Sequence, residues 1–84
     1  MARKIKQIDY PILDGEITAE YLGKFVKAKR TKSNLTSHQT ALLCNVPVDV
    51  ITKLENSRGG ITLESFLKVI NGLSINMSLK EDKE

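Results

Sequence analysis

The sequence predicts a small all-α domain of four to five helices, followed by one short β-strand. Three observations predict it. Between residues 18 and 73, apolar residues recur at helical spacing in segments introduced by threonine or proline, residues suited to a helix start. Two of these segments are separated by only Asn45-Val46-Pro47, a link too short to let the helices drift apart. After Gly72 the period changes to two: Ile75, Met77 and Leu79 alternate with Asn76 and Ser78.

Each element has its own justification. Residues 1–16 have no helical period, and Pro11 argues against a central strand, so they read as an extended basic arm with a turn at Asp14-Gly15. Thr18 is the N-cap of the first helix, with Glu20 in the favourable first turn. Its stripe is Tyr21, Leu22, Phe25, Val26 and Ala28, and Ser33-Asn34 breaks it after Lys32. Thr36-Ser37-His38-Gln39 fits a capping box, in which Thr36 and Gln39 each satisfy an orphan backbone N–H. Ala41, Leu42 and Cys44 follow, and Asn45 suits the left-handed conformation that stops a helix. Pro47 opens the third helix in its first turn, where the missing N–H costs nothing. Val50, Ile51 and Leu54 form that helix's buried side. Arg58-Gly59-Gly60 is a loop, and Thr62 caps a fourth helix with Leu63, Phe66, Leu67, Ile70 and Leu73 on one stripe. Residues 75–79 form a half-exposed strand that a second copy of the chain can pair. Residues 80–84 are a disordered tail.

Composition narrows the functional classes. A single domain of 84 residues buries only about 60–65% of its unfolded surface, so a partner subunit helps it. The lone cysteine, Cys44, excludes an intramolecular disulfide and fits a reducing compartment. No apolar run approaches the ~20 residues of a membrane span, and MARKIKQIDY lacks a signal-peptide core, so a cytoplasmic protein is expected. Net charge is +3, and residues 24–32 carry five bases and no acid. That cluster reads either as a footprint for nucleic acid or as lysines favoured at a helix C-terminus.

Catalytic groups are scarce. His38 and Cys44 lie six residues apart on one helix, hence on different faces, which argues against a nucleophile–base pair. One His and one Cys do not make a zinc site of the usual kind. No enzyme, metal or cofactor is expected.

Two helices held by a tight turn make a helix-turn-helix, whose second helix can enter a DNA major groove. An all-α bundle with a short hairpin is the alternative from pattern alone. Particular residues add to this: Leu22-Gly23-Lys24, Lys29-Arg30, Leu35-Thr36, Ala41, Asn45-Val46, Ile51 and Leu54-Glu55-Asn56. Through them residues 17–79 resemble the Cro/cI-type (XRE) helix-turn-helix family, with its lambda-repressor-like fold. The ending ITLESFLKVINGLSINMSL resembles the HipB-type antitoxins, in which a strand after the last helix pairs across a dimer.

The resemblance implies a helix-turn-helix domain over residues 17–74, a dimerisation strand over 75–79 and DNA contacts at the matching positions. Thr36, Ser37 and His38 open the second helix where the family grips a phosphate, with Ser37 in place of the usual glutamine. Val48, Asp49, Thr52 and Lys53 occupy the outward face of the third helix, where relatives often carry Gln, Ser or Arg. Val48 suits a thymine methyl and Lys53 a guanine edge; Asp49 either accepts from a cytosine amine or repels phosphate. Asn56 and Arg58 follow where the family approaches the DNA backbone. Arg30 and Glu55 match a pair that the family joins beneath the turn. The implied protein is a cytoplasmic, nucleoid-associated homodimeric repressor binding double-stranded operator DNA. Within that class it reads as the antitoxin of a HipBA-like system, autoregulating its operon and binding a HipA-like kinase toxin. The alternatives are a helix-turn-helix adaptor for protein contact and a phage-type Cro/cI repressor.

Overall fold

The computed structural model describes residues 10–13 and 15–81. The arm's residues 1–9, Asp14 of the expected turn and the tail's residues 82–84 lie outside the described residues. Four helices follow in order: α1 (Ala19–Lys32), α2 (Ser37–Cys44), α3 (Val48–Glu55) and α4 (Leu63–Gly72).

Side chains start three of them. Thr18 accepts from the Tyr21 N–H, Thr36 from Gln39 and Thr62 from Ser65. At α2 the capping box closes, with the Thr36 N–H donating to Gln39 Oε1 at 2.8 Å. α3 starts differently. Pro47 stands at its N-cap rather than inside its first turn, with φ −64° and ψ 149°, and offers no side-chain cap. The proline ring presets this φ but brings no oxygen, so Asp49 is the favourable first-turn charge.

All four helices end alike. Asn34, Asn45, Ser57 and Ser74 take φ between 57° and 60°. Beyond them the N–H groups of Leu35, Val46, Arg58 and Ile75 reach back to the carbonyls of Arg30, Ala41, Lys53 and Ile70 at 2.9–3.0 Å. These 6→1 bonds satisfy carbonyls that each helix leaves orphaned. Each therefore ends in a fixed direction.

The core joins Val26 of α1, Ala41 and Cys44 of α2, Ile51 and Leu54 of α3, and Val69, Ile70 and Leu73 at α4. Two glycines allow its closest crossings. A Cβ on Gly23 would strike the Leu54 carbonyl, and one on Gly72 would lie 2.5 Å from Cys44 Sγ. α1 thus rests directly on the backbone of α3, and α4 on that of α2.

Two expectations need correction, and a third concerns residues that a single chain leaves unpaired. Leu63 and Leu67 share the apolar period of α4 yet are 71% and 46% exposed, because Val69, Ile70 and Leu73 face the core instead. Leu42 on α2 is 84% exposed, the core side of that helix being Thr40, Ala41 and Cys44. Ile75, Met77 and Leu79 form no strand in the single chain, and no strand occurs among the described residues. A ladder needs a neighbouring strand, which one copy does not offer. Ile75 instead packs against the core while Leu79 is exposed.

Candidate nucleic-acid interface

The turn between α2 and α3 is fixed by its own backbone. Asn45 is left-handed at φ 60° and ψ 48°, and the half-buried Val46 packs against the core. α2 and α3 pack on each other, and α3 also packs on α1.

Beneath this unit Arg30 and Glu55 join α1 to the end of α3. Nε donates to Oε2 at 2.6 Å and Nη2 to Oε1 at 2.9 Å, two parallel bonds of the fork geometry that fixes orientation as well as distance. Nη1 donates to the Leu35 carbonyl at 2.9 Å, tying in the segment that leads to α2. The side chains are 16% and 8% exposed. The hydrogen bond to Glu55 raises the guanidinium pKa above its ordinary value, burial opposes this, and the carboxylate charge adds to the rise. One side chain therefore holds α1, the segment leading to α2 and the end of α3 in register.

The outward residues are placed as follows. Ser37 is half-buried at the first position of α2, with His38 exposed beside it; the Thr36 hydroxyl is engaged in the cap. Asp49 and Thr52 are exposed on α3, and Lys53 is half-buried. Val48 departs from the outward expectation: it is half-buried and packs against the core, since the first turn of α3 leans on its neighbours. Lys53 Nζ lies 3.2 Å from Asp49 Oδ2, one turn earlier on the same helix. The acid and the base of the outward face are thus paired with each other. Thr52 Oγ1 donates to the Val48 carbonyl at 3.3 Å, and Asn56 Nδ2 donates to the Thr52 carbonyl at 2.9 Å. Both residues turn a donor toward their own helix. Arg58 is exposed just past the end of α3.

Two surface features escaped the sequence reading. Leu42 and Leu43 stand side by side on α2, 84% and 57% exposed. An apolar groove of about 230 Å³ runs between α1 and residues 75–79, with Tyr21, Phe25, Ile75 and Met77 in its walls. Cys44, by contrast, is buried, its thiol facing the Val69 carbonyl at 3.7 Å, and burial raises its pKa.

A tight left-handed turn joining two packed helices, braced from below by α1, defines a helix-turn-helix domain. Its fold is that of solved HipB structures. One is HipB in a HipA–HipB–O2–O3 complex, with a TM-score of 0.71 and 22% identity over 84% of this chain and 100% of that one. A second is a HipB variant in complex with an O2 20-mer, with the same TM-score and identity over 86% of this chain and 100% of the other. A third, described as MDT protein, gives a TM-score of 0.71 and 22% identity over 84% of this chain and all of its own. No family model matches the sequence, and no curated protein matches it significantly. Among the described residues, no helix is long and apolar enough to cross a membrane.

Proposed function

We propose that this protein is a sequence-specific, DNA-binding transcriptional repressor, and within that class the antitoxin of a HipBA-like toxin–antitoxin system. It acts in the cytoplasm as a homodimer, represses its own operon and binds a HipA-like kinase toxin. It has no enzymatic role. The observation that carries the reading is the braced α2–α3 unit, in which Arg30 and Glu55 hold an outward helix at a fixed angle. The shared fold with HipB, solved in complexes with HipA and with operators, supports the choice of partner classes.

In this reading Ser37 and the free N–H groups at the start of α2 meet a phosphate, with His38 beside them. Lys53 and Thr52 face the base edges, and Asn56 and Arg58 meet the flanking backbone. Asp49 either orients Lys53 and reads a cytosine amine, or weakens binding by repelling phosphate. Residues 75–79 of two copies pair as a two-stranded ladder, covering the groove beside Phe25 and placing the two α3 helices about one helical turn of DNA apart. Footprinting on the DNA upstream of the gene tests this. Protection of two half-sites with that spacing supports the reading, and no protection at low salt contradicts it.

A second reading, a helix-turn-helix adaptor for protein contact, is favoured by one observation. Leu42 and Leu43 offer an exposed apolar pair on α2, which a DNA contact does not use.

A further inference from the structure

An open cleft of about 410 Å³ lies between the start of α1, the end of α3 and the start of α4. Its walls are Leu22, Leu54, Ile61, Leu63 and Phe66, and its charged residue is Lys53. Gly59 and Gly60 form part of the lining with φ of 76° and 74° and contribute no side chains, which leaves that side open. Lys53 Nζ lies 4.0 Å from where a Cβ on Gly60 would stand, so the ammonium sits at the cavity wall. An open apolar cleft of this size with one convergent cation can take the body and head of a small amphiphile.

We propose that this cavity binds a small monocarboxylate with an apolar body, of medium-chain or aryl type. The body fills the space between Leu22, Ile61 and Phe66, and the carboxylate meets Lys53. The ammonium has three donors, and its present partner, Asp49, is itself 67% exposed. An exposed i,i+4 pair of that kind contributes little, so a second carboxylate can join it or displace it. The charge complement selects an acid over an alcohol or an amine of the same length. Because Lys53 also belongs to the face assigned to DNA, ligand and operator compete for it; this clause rests on the DNA-binding reading above.

The test uses the full chain without DNA, followed by ¹H–¹⁵N spectra during titration with octanoate, 1-octanol and octylammonium. Octanoate is expected to give saturable shifts centred on Lys53, Gly59, Gly60 and Ile61, with the alcohol and the amine each binding about tenfold or more weakly. Lys53→Gln should reduce octanoate to the affinity of octanol. Ala19→Trp, at an exposed helix-start position lining the cavity, should fill it and abolish the shifts with the thermal transition retained. Absence of saturable shifts, equal binding of octylammonium, or shifts centred instead on Ile75 and Met77 would overturn the site. Operator titrations with and without octanoate then read the competition. A protein that binds octanoate but never DNA contradicts the repressor reading and leaves the site intact. Unchanged operator affinity at saturating octanoate contradicts the competition.

Discussion

Arg30 near the end of α1 and Glu55 at the end of α3 are joined by parallel hydrogen bonds of 2.6 and 2.9 Å, with the third guanidinium nitrogen on the Leu35 carbonyl. Both side chains are largely removed from water, so deleting either leaves an uncompensated charge. Arg30→Ala and Glu55→Ala are each expected to cost about 3–5 kcal/mol. The double variant should cost clearly less than their sum, measured by urea unfolding in a double-mutant cycle. Additive losses below about 1 kcal/mol would show that the pair does not brace the fold.

Gly23 sets how closely α1 approaches α3. A methyl group there meets the Leu54 carbonyl, a backbone atom that cannot swing aside as a flexible side chain does. Gly23→Ala should therefore destabilise the domain by about 1–3 kcal/mol or more, although alanine favours helix at exposed sites. Thermal unfolding reads the difference. A neutral or stabilising substitution would show that the two helices are not in backbone contact.

Cys44 predicts a pH dependence whose sign follows from burial. Burial raises the thiol pKa above its ordinary value of 9.0, so the folded chain holds this proton more tightly than the unfolded chain. Its contribution is fully present below the unfolded pKa and is lost as pH rises from about 9.0 through the folded value. Stability should fall across that alkaline range less steeply in Cys44→Ala than in the native chain. A thiol reagent should label the native chain only at the rate of opening, and immediate labelling would contradict the buried placement.

How much of this was readable depended on whether a rule is local. Thr36 with Gln39, and Asn45 before Val46, carry their information within a few residues, and the helix boundaries followed from them. The Arg30–Glu55 bond was legible only through the family resemblance, because no local rule links a guanidinium to a carboxylate so far along the chain. Ser57 and Ser74 end α3 and α4 without a local signal, because serine rarely takes the left-handed conformation, and after α3 Gly59-Gly60 is the stronger turn signal. The apolar periodicity of Leu63 and Leu67 identified a helix but did not say which of its apolar residues would be covered. A strand at 75–79 would need a second chain to pair with, so no feature within one copy decides it.

Asp49 has two possible roles, which its contact with Lys53 sharpens. At 3.2 Å the carboxylate both steadies the ammonium and subtracts from the positive field of the outward face. Asp49→Ala distinguishes them across a set of single-base operator variants. Weaker binding confined to one base pair assigns a readout role. Tighter binding at every sequence assigns repulsion.

If α2 and α3 hold DNA, the salt dependence of binding shows it. Binding of the full chain to its own upstream DNA is to be measured across a series of salt concentrations, beside Arg58→Ala, whose side chain is exposed past α3. Log K should fall linearly with log salt, with a slope of about −0.9 for each phosphate neutralised. Arg58→Ala should reduce that slope by about one unit for each copy bound, with little change in sequence preference. A flat salt response, or a slope unchanged by removal of Arg58, would contradict it.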